Sequence, residues 1–399
     1  MSRQATQAMA DGFDAAAINA ISIDQLRAGG SFKWSAWPDS IGAFVAEMDL
    51  GIAPVITRAL HEAVARGAHG YLPDALAREL AQACTDWQQQ RYGWTIEPGA
   101  VQAIPDVLCA LEIVLRYVVP AGCTVVLPTP NYMPFAPLLA QLGHRVLTVP
   151  MQAPADGGGF DFPALERAFA SGAALAILCN PHNPTGRVYR REELATFAQL
   201  AQRHGLRVFA DEIHAPLVYA GQRHVPYACV SEQAAQQAIT ATSASKAWNL
   251  PGLKCAQLIL TSAGDRARWR EIGWLAGHGT ASLGVVASIA AYRQGDAWLE
   301  GALAYLDGNR ALIEEILCRQ VPALGYHAPE ATYLAWLDCR GLNLPLPPRR
   351  FFQQRAGIAL TDGSDCGPGG EGHVRLNFAL PRPILRQALA QMAQALQAL

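Results

Sequence analysis

The sequence has no CxxC pair, no block of clustered lysine or arginine, and no run of roughly 18 apolar residues of the kind a membrane span needs. Each absence removes a class of function. Nine cysteines without a regular framework fit free thiols rather than a disulfide scaffold, and no metal site is expected. Basic residues are scattered and the formal net charge is −2, so no surface is built to neutralise nucleic-acid phosphates or an anionic membrane. Asp11 and Asp14 interrupt the N-terminal segment before any apolar core, a poor pattern for a secretion signal. The expectation is a cytoplasmic protein with a small-molecule ligand and neither nucleic-acid nor membrane partners.

What is present is an alternation of patterns. At 399 residues the chain exceeds the size at which a single core commonly splits, so a large domain with a smaller companion is expected. Residues 1–45 lack sustained periodicity and carry Trp34, Trp37 and Pro38, which predicts an irregular arm contributing to the smaller domain. Helix-like stretches at 54–66, 76–92 and 107–118 lead to short apolar runs at 124–127, 145–149, 174–178, 207–210, 238–242 and 256–260, with a helix at 191–204 among them. Strands separated by helices imply an α/β fold, a mainly parallel sheet sandwiched by helices. Near residue 290 the texture changes. A long helical stretch at 296–319, strand-like runs at 332–337 and 373–378, a glycine-rich loop at 363–372 and a last helix from Pro383 predict a smaller α+β domain. The expected division is an arm at 1–45, a large domain at 46–290 and a small domain at 291–399.

Three predicted strand ends carry the chemistry. The first leads into Asn180-Pro-His-Asn183-Pro-Thr-Gly186, a turn stiffened by two Asn-Pro steps. The second delivers Asp211 in Val208-Phe-Ala-Asp211-Glu-Ile-His214, and the third ends in Ser243-Ala-Ser245-Lys246, with Lys254 following. In an open parallel sheet, ligands bind beyond the carboxyl ends of the strands. An amide, a carboxylate and an amine at such ends match what pyridoxal phosphate (PLP) requires: an amine for its aldehyde, an acid against its pyridine nitrogen, and donors for its phenolate and phosphate oxygens. Lys246, among small and apolar residues, is expected to be desolvated and therefore a better nucleophile. Asp211 is assigned to the ring nitrogen, Asn183 to the phenolate oxygen, and Ser243, Ser245 and Lys254 to the phosphate. A second phosphate contact is assigned to Pro105, Asp106 and Val107, where a helix begins, although Asp106 also suits an ordinary N-cap. Tyr132 is a candidate for stacking on the ring.

Taken together, NPHNPTG, DEIH, SASK with Lys254, and His373-Val-Arg375-Leu-Asn resemble PLP enzymes of fold type I in the class I/II aminotransferase superfamily. DEIHAPLVY followed by His224-Val-Pro-Tyr-Ala, and Val45-Ala-Glu-Met-Asp49, resemble the MalY/PatB group of cystathionine β-lyases and related carbon–sulfur lyases. The likeness runs from about Phe44 to Leu389. It implies Lys246 as the imine-forming and proton-shuttling residue, Asp211 at the ring nitrogen, Asn183 and His214 near the phenolate oxygen and Tyr132 on the ring. It also implies Arg375 on the substrate carboxylate, with Asn183 and Asp49 beside the substrate, and a homodimer in which Tyr71 reaches the neighbour's phosphate and takes part in catalysis. Two motifs depart from the group's pattern: Phe44 and Glu47 stand where Trp and Asp are usual, and Pro105-Asp106 stands where Pro-Gly is common. These bear on the substrate rather than on the cofactor. The implied reaction is β-elimination from cystathionine or another S-substituted cysteine. Transamination, or specialised chemistry on an unusual amino acid, uses the same early steps.

Overall fold

The computed structural model describes residues 12–152 and 158–399. In chain order its strands are β1 (Ile41–Gly42), β2 (Val101–Ile104), β3 (Thr124–Thr129), β4 (Arg145–Pro150), β5 (Leu175–Cys179), β6 (Arg207–Asp211), β7 (Ala238–Thr242), β8 (Ala256–Ile259), β9 (Gly325–Tyr326), β10 (Leu334–Asp338), β11 (Ile358–Ala359), β12 (Thr361–Asp362) and β13 (His373–Asn377). One seven-stranded sheet has the order β2-β8-β7-β6-β5-β3-β4. Strands β7, β6, β5, β3 and β4 run parallel, while β8 is antiparallel to both its neighbours.

Strands β3 and β5 are buried along their whole length, which is why they read as unbroken apolar runs. Alternate side chains feed two separate cores. Val126, Ala176, Leu178, Val208 and Ala210 join one, against helices Phe162–Ala170 and Arg191–Arg203. Val125, Leu127, Leu175, Ile177 and Phe209 join the other, against helix Val107–Tyr117. The result is the α/β sandwich that the alternation predicts.

A second sheet, β12-β13-β10-β9, is antiparallel throughout. Close by in sequence to β12, β11 pairs in parallel with β1, setting Ile41 opposite Ile358 and Gly42 opposite Ala359. This pairing ties the N-terminal segment to the C-terminal part and carries residues 44–49 to the sheet's active edge.

Some elements differ from the sequence-based expectation. The arm is not irregular: Asp14 caps a helix at Ala15–Asn19, a Ser22–Gln25 capping box opens Ile23–Ala28, and Phe32–Ser35 forms a further short turn. Helix Ser282–Gln294 was not legible because it is buried on most sides, from Val285 to Tyr292, and so has no polar face to set a period. The stretch at 296–319 is α-helical to Leu312 and then widens into π turns over Ile313–Cys318.

Candidate active site

Register brings the three strand ends together: Cys179 pairs with Asp211, and Asp211 with Ala241. Beyond them lies a cavity of ≈ 190 Å³ lined by Asp211, Asn183, His214, Ser243, Ser245, Lys246, Lys254, Tyr132, Pro105, Asp106 and Val107, among others. A second cavity of ≈ 270 Å³ holds Arg375, Phe44 and Thr361, and shares Ala46, Tyr132 and Lys246 with the first. Lys246 therefore faces both.

Each loop at this edge is held by its own bonds. In the turn at 180–186, Asn180 accepts from the Tyr189 N–H (3.2 Å) and donates to the Val225 carbonyl (3.3 Å), while Gly186 accepts at its carbonyl from Ala331 (2.9 Å). Glu212, next to Asp211, turns away from the cavity: it accepts from the Tyr227 N–H (2.7 Å) and meets His224 Nε2 (3.2 Å). The motif DEIH and the later His224-Val-Pro-Tyr227 thus belong together physically, because one buried carboxylate locks the other segment.

Electrostatics follow from burial. Desolvation, with Arg375 nearby, lowers the Lys246 amine to about 8, which makes its neutral form accessible at moderate pH. Burial raises the Asp211 carboxyl to about 7, and no ion pair among the described residues compensates it. His214 is pushed down to about 3 by burial, then by Lys246 and Arg375, so its imidazole is neutral; its Nδ1 is buried without a partner.

The segment 44–49 supplies carbonyl oxygens to the cations of the site. Phe44 O accepts from Arg375 (2.8 Å), Ala46 O from both Lys246 Nζ (3.0 Å) and Tyr333 Oη (2.9 Å), and Glu47 O from Lys33 Nζ (3.1 Å). Arg375 also donates to Asn183 Oδ1 (2.9 Å) and Thr361 Oγ1 (3.1 Å), yet its Nε has no partner and it meets no carboxylate. A buried guanidinium without an anion, beside a cavity, suits a carboxylate ligand.

The donor set fits PLP on these observations: an uncompensated carboxylate that a protonated ring nitrogen would balance, an amine with a lowered pKa, and an amide whose oxygen is already taken by Arg375. Lys254 and the first turn of helix Val107–Tyr117 add a cation and the unpaired N–H groups of a helix start. The family model for aminotransferase class I and II matches residues 42–392. The chain belongs to that family. Within it, the chain is 35% identical over 377 residues to a cystathionine beta-lyase of Corynebacterium glutamicum, covering 94% of this chain and 99% of the relative. It is 32% identical over 362 residues to the cystathionine beta-lyase PatB of Bacillus subtilis, covering 90% and 93%. The PLP-bound C–S lyase of Staphylococcus hominis superposes with a TM-score of 0.86 at 28% identity, covering 93% of this chain and 96% of that one.

Several of the expected residues are already bonded within the chain or stand outside the two cavities. Asp49 lines neither cavity: it is buried, ion-paired with Lys33 (2.9 Å) and bonded to Trp34 Nε1 (3.0 Å), so it anchors the segment rather than touching substrate. Ser243 lines the first cavity, but its hydroxyl donates to the Cys255 carbonyl (2.7 Å) and accepts from the Ser245 N–H (3.0 Å), which leaves no proton for a phosphate. Asp106 is the N-cap, accepting from the Cys109 N–H (2.8 Å), and its other oxygen holds Lys254 (2.9 Å); an anion so engaged tethers Lys254 at the cavity and is itself ill suited to a second anion. Pro105 has no N–H and serves as wall. Tyr71 joins neither cavity of its own chain; it is 85% exposed, its ring near His278. Tyr333, Thr361 and the backbone of Phe44 and Ala46 were missed because hydrogen-bonding carbonyls leave no mark in the side-chain sequence.

Proposed function

We propose that this protein is a PLP-dependent carbon–sulfur β-lyase, converting an S-substituted L-cysteine and water into a thiol, pyruvate and ammonia. The observation that carries the reading is the position of Lys246, which borders both the Asp211 cavity and the Arg375 cavity. The choice of elimination is supported by the likeness to cystathionine beta-lyases over most of the chain.

When bound, PLP supplies an aldehyde for the substrate amine and a ring that absorbs the electron pair left at Cα. The protein's own groups do the rest. In this reading Asp211 balances the ring nitrogen, and the Asn183 amide donates to the phenolate oxygen. Lys254, Ser245 and the Val107 end of its helix hold the phosphate, while Tyr132 and His214 bracket the ring. Arg375 grips the α-carboxylate and so orients the Cα–H bond toward Lys246. The neutral Lys246 amine accepts that proton, and sulfur leaves from Cβ with the bonding pair. The reading includes a homodimer in which Tyr71 completes the neighbour's site, and a cytoplasmic setting in which all nine cysteines stay free.

Incubation of the purified holoenzyme with an S-substituted cysteine tests it: pyruvate and thiol are expected in equal amounts. Sustained amino transfer to a keto acid, with no thiol released from any conjugate, would defeat the lyase reading and promote a transaminase. Borohydride reduction and peptide mapping are expected to find the cofactor on Lys246.

A further inference from the structure

Arg349, Gln353 and Asp365 line the ≈ 270 Å³ cavity that also holds Lys246 and Arg375. Arg349 sits on the turn Pro348–Phe351, Gln353 on the next turn, and Asp365 on Gly363–Cys366. Among the described residues none of the three side chains makes a hydrogen bond or ion pair, and Arg349 Nε is buried without a partner. Elsewhere this chain pairs its accessible arginines readily, as in Arg340–Asp338 (2.7 Å) and Arg116–Glu112 (2.7 Å). Here a cation and an anion border one cavity yet stand farther apart than an ion pair allows. Phe32, Trp37 and Phe44 supply an aromatic wall to the same space, with Phe32 62% and Trp37 41% exposed.

Resting on the lyase reading, we propose that this part of the cavity is a leaving-group subsite for a thiol that is itself an amino acid, with Arg349 taking its carboxylate and Asp365 its ammonium. The charge count argues for it. Arg375 answers one carboxylate, that of the cysteine half, so a substrate with a neutral S-alkyl group leaves Arg349 and Asp365 unused. A thioether joining two amino acids uses both, and its methylene–sulfur chain suits the aromatic wall. Gln353 adds an amide able to bond either end of the zwitterion.

The test compares L-cystathionine with S-ethyl-L-cysteine on the holoenzyme and on Arg349→Met and Asp365→Asn. The ratio of kcat/KM values, cystathionine over S-ethylcysteine, is expected to fall by about tenfold or more in each variant, mainly through KM. A smaller change in both variants overturns the subsite. Equal losses on both compounds overturn it too, since they would put Arg349 on the shared α-carboxylate. Calorimetric dissociation constants of the two compounds on PLP-loaded Lys246→Ala protein, with and without Arg349→Met, read the same preference without turnover. If the wild type eliminates neither compound, the lyase reading falls, and this binding ratio still decides the subsite.

Discussion

At the scale of single residues, the site stores a mismatch. Asp211 holds its proton up to about pH 7, against 3.8 for an ordinary aspartate, because burial disfavours the charge. The unfolded chain therefore releases that proton first: the stabilising contribution is whole below about pH 4 and is lost as the pH rises through 7. Asp211→Asn removes the titration. The cofactor-free variant is expected to be more stable than the wild type at pH 8, by on the order of a few kcal/mol, with the gap closing toward pH 4; denaturant melts at the two pH values measure it. The same variant is expected to lose roughly a thousandfold or more in turnover, as for other preorganised charges in buried sites. Near-normal turnover would mean that Asp211 is not the ring's partner. That Lys246, Asp211, Asn183 and Arg375 gather at one place was legible in sequence, because residue types with distinctive chemistry stood at predicted strand ends and in recognisable motifs. What each side chain is already bonded to was not. Asp49 is consumed by Lys33 and Trp34, and Ser243 by a carbonyl from the following loop, partners that no local motif reveals.

At the scale of elements, the segment 44–49 behaves as a strap whose carbonyls face cations. It is tied at Met48 by Asn249, whose Oδ1 accepts from the Met48 N–H (2.9 Å) and whose Nδ2 donates to the Met48 carbonyl (2.8 Å). Asn377 Nδ2 donates to the carbonyls of Val45 (2.6 Å) and Glu47 (2.7 Å). The Lys33–Asp49 pair closes the end, and Lys33 is fully buried. Asp49→Asn leaves that ammonium without its anion, so a loss of about 3 kcal/mol in folding stability is expected from melts. A slackened strap also frees the Ala46 carbonyl from Lys246, so the variant's pH–rate profile is expected to shift on the limb set by that amine. An unchanged profile would make the pair purely structural. The turn ending at Gly186 is equally constrained: its φ is +72°, and an added Cβ would lie 2.3 Å from the Pro329 Cβ. Gly186→Ala is expected to destabilise by about 2 kcal/mol or more and to raise KM, because the turn that carries Asn183 must move. Periodic elements such as Arg191–Arg203 were readable; the strap was not, since its work is done by backbone.

At the scale of the whole molecule, the parallel sheet and its two cores follow from alternation, and in the proposed division at residues 45 and 290 the assignment of the N-terminal arm to the smaller part is supported by the β1–β11 pairing. What a single sequence conceals most completely is a second copy. Tyr71 projects into solvent at 85% exposure beside His278, and Trp274 (83%) and Leu275 (66%) are exposed on the same helix-and-turn region. A tyrosine held so far out does nothing for its own cavity, whereas in the proposed homodimer it completes the neighbour's phosphate site. Subunit mixing decides the matter. Lys246→Ala and Tyr71→Ala are each expected to be nearly inactive alone. In a mixed dimer, the chain that keeps Lys246 receives the intact Tyr71 of its partner, and the other site carries both lesions. Random exchange of equal amounts makes half of the dimers mixed, each with one working site of two, so activity is expected to recover to about a quarter of the wild-type value per site. If activity does not rise above that of the separate variants although sedimentation shows the subunits exchanging, Tyr71 does not serve a neighbour.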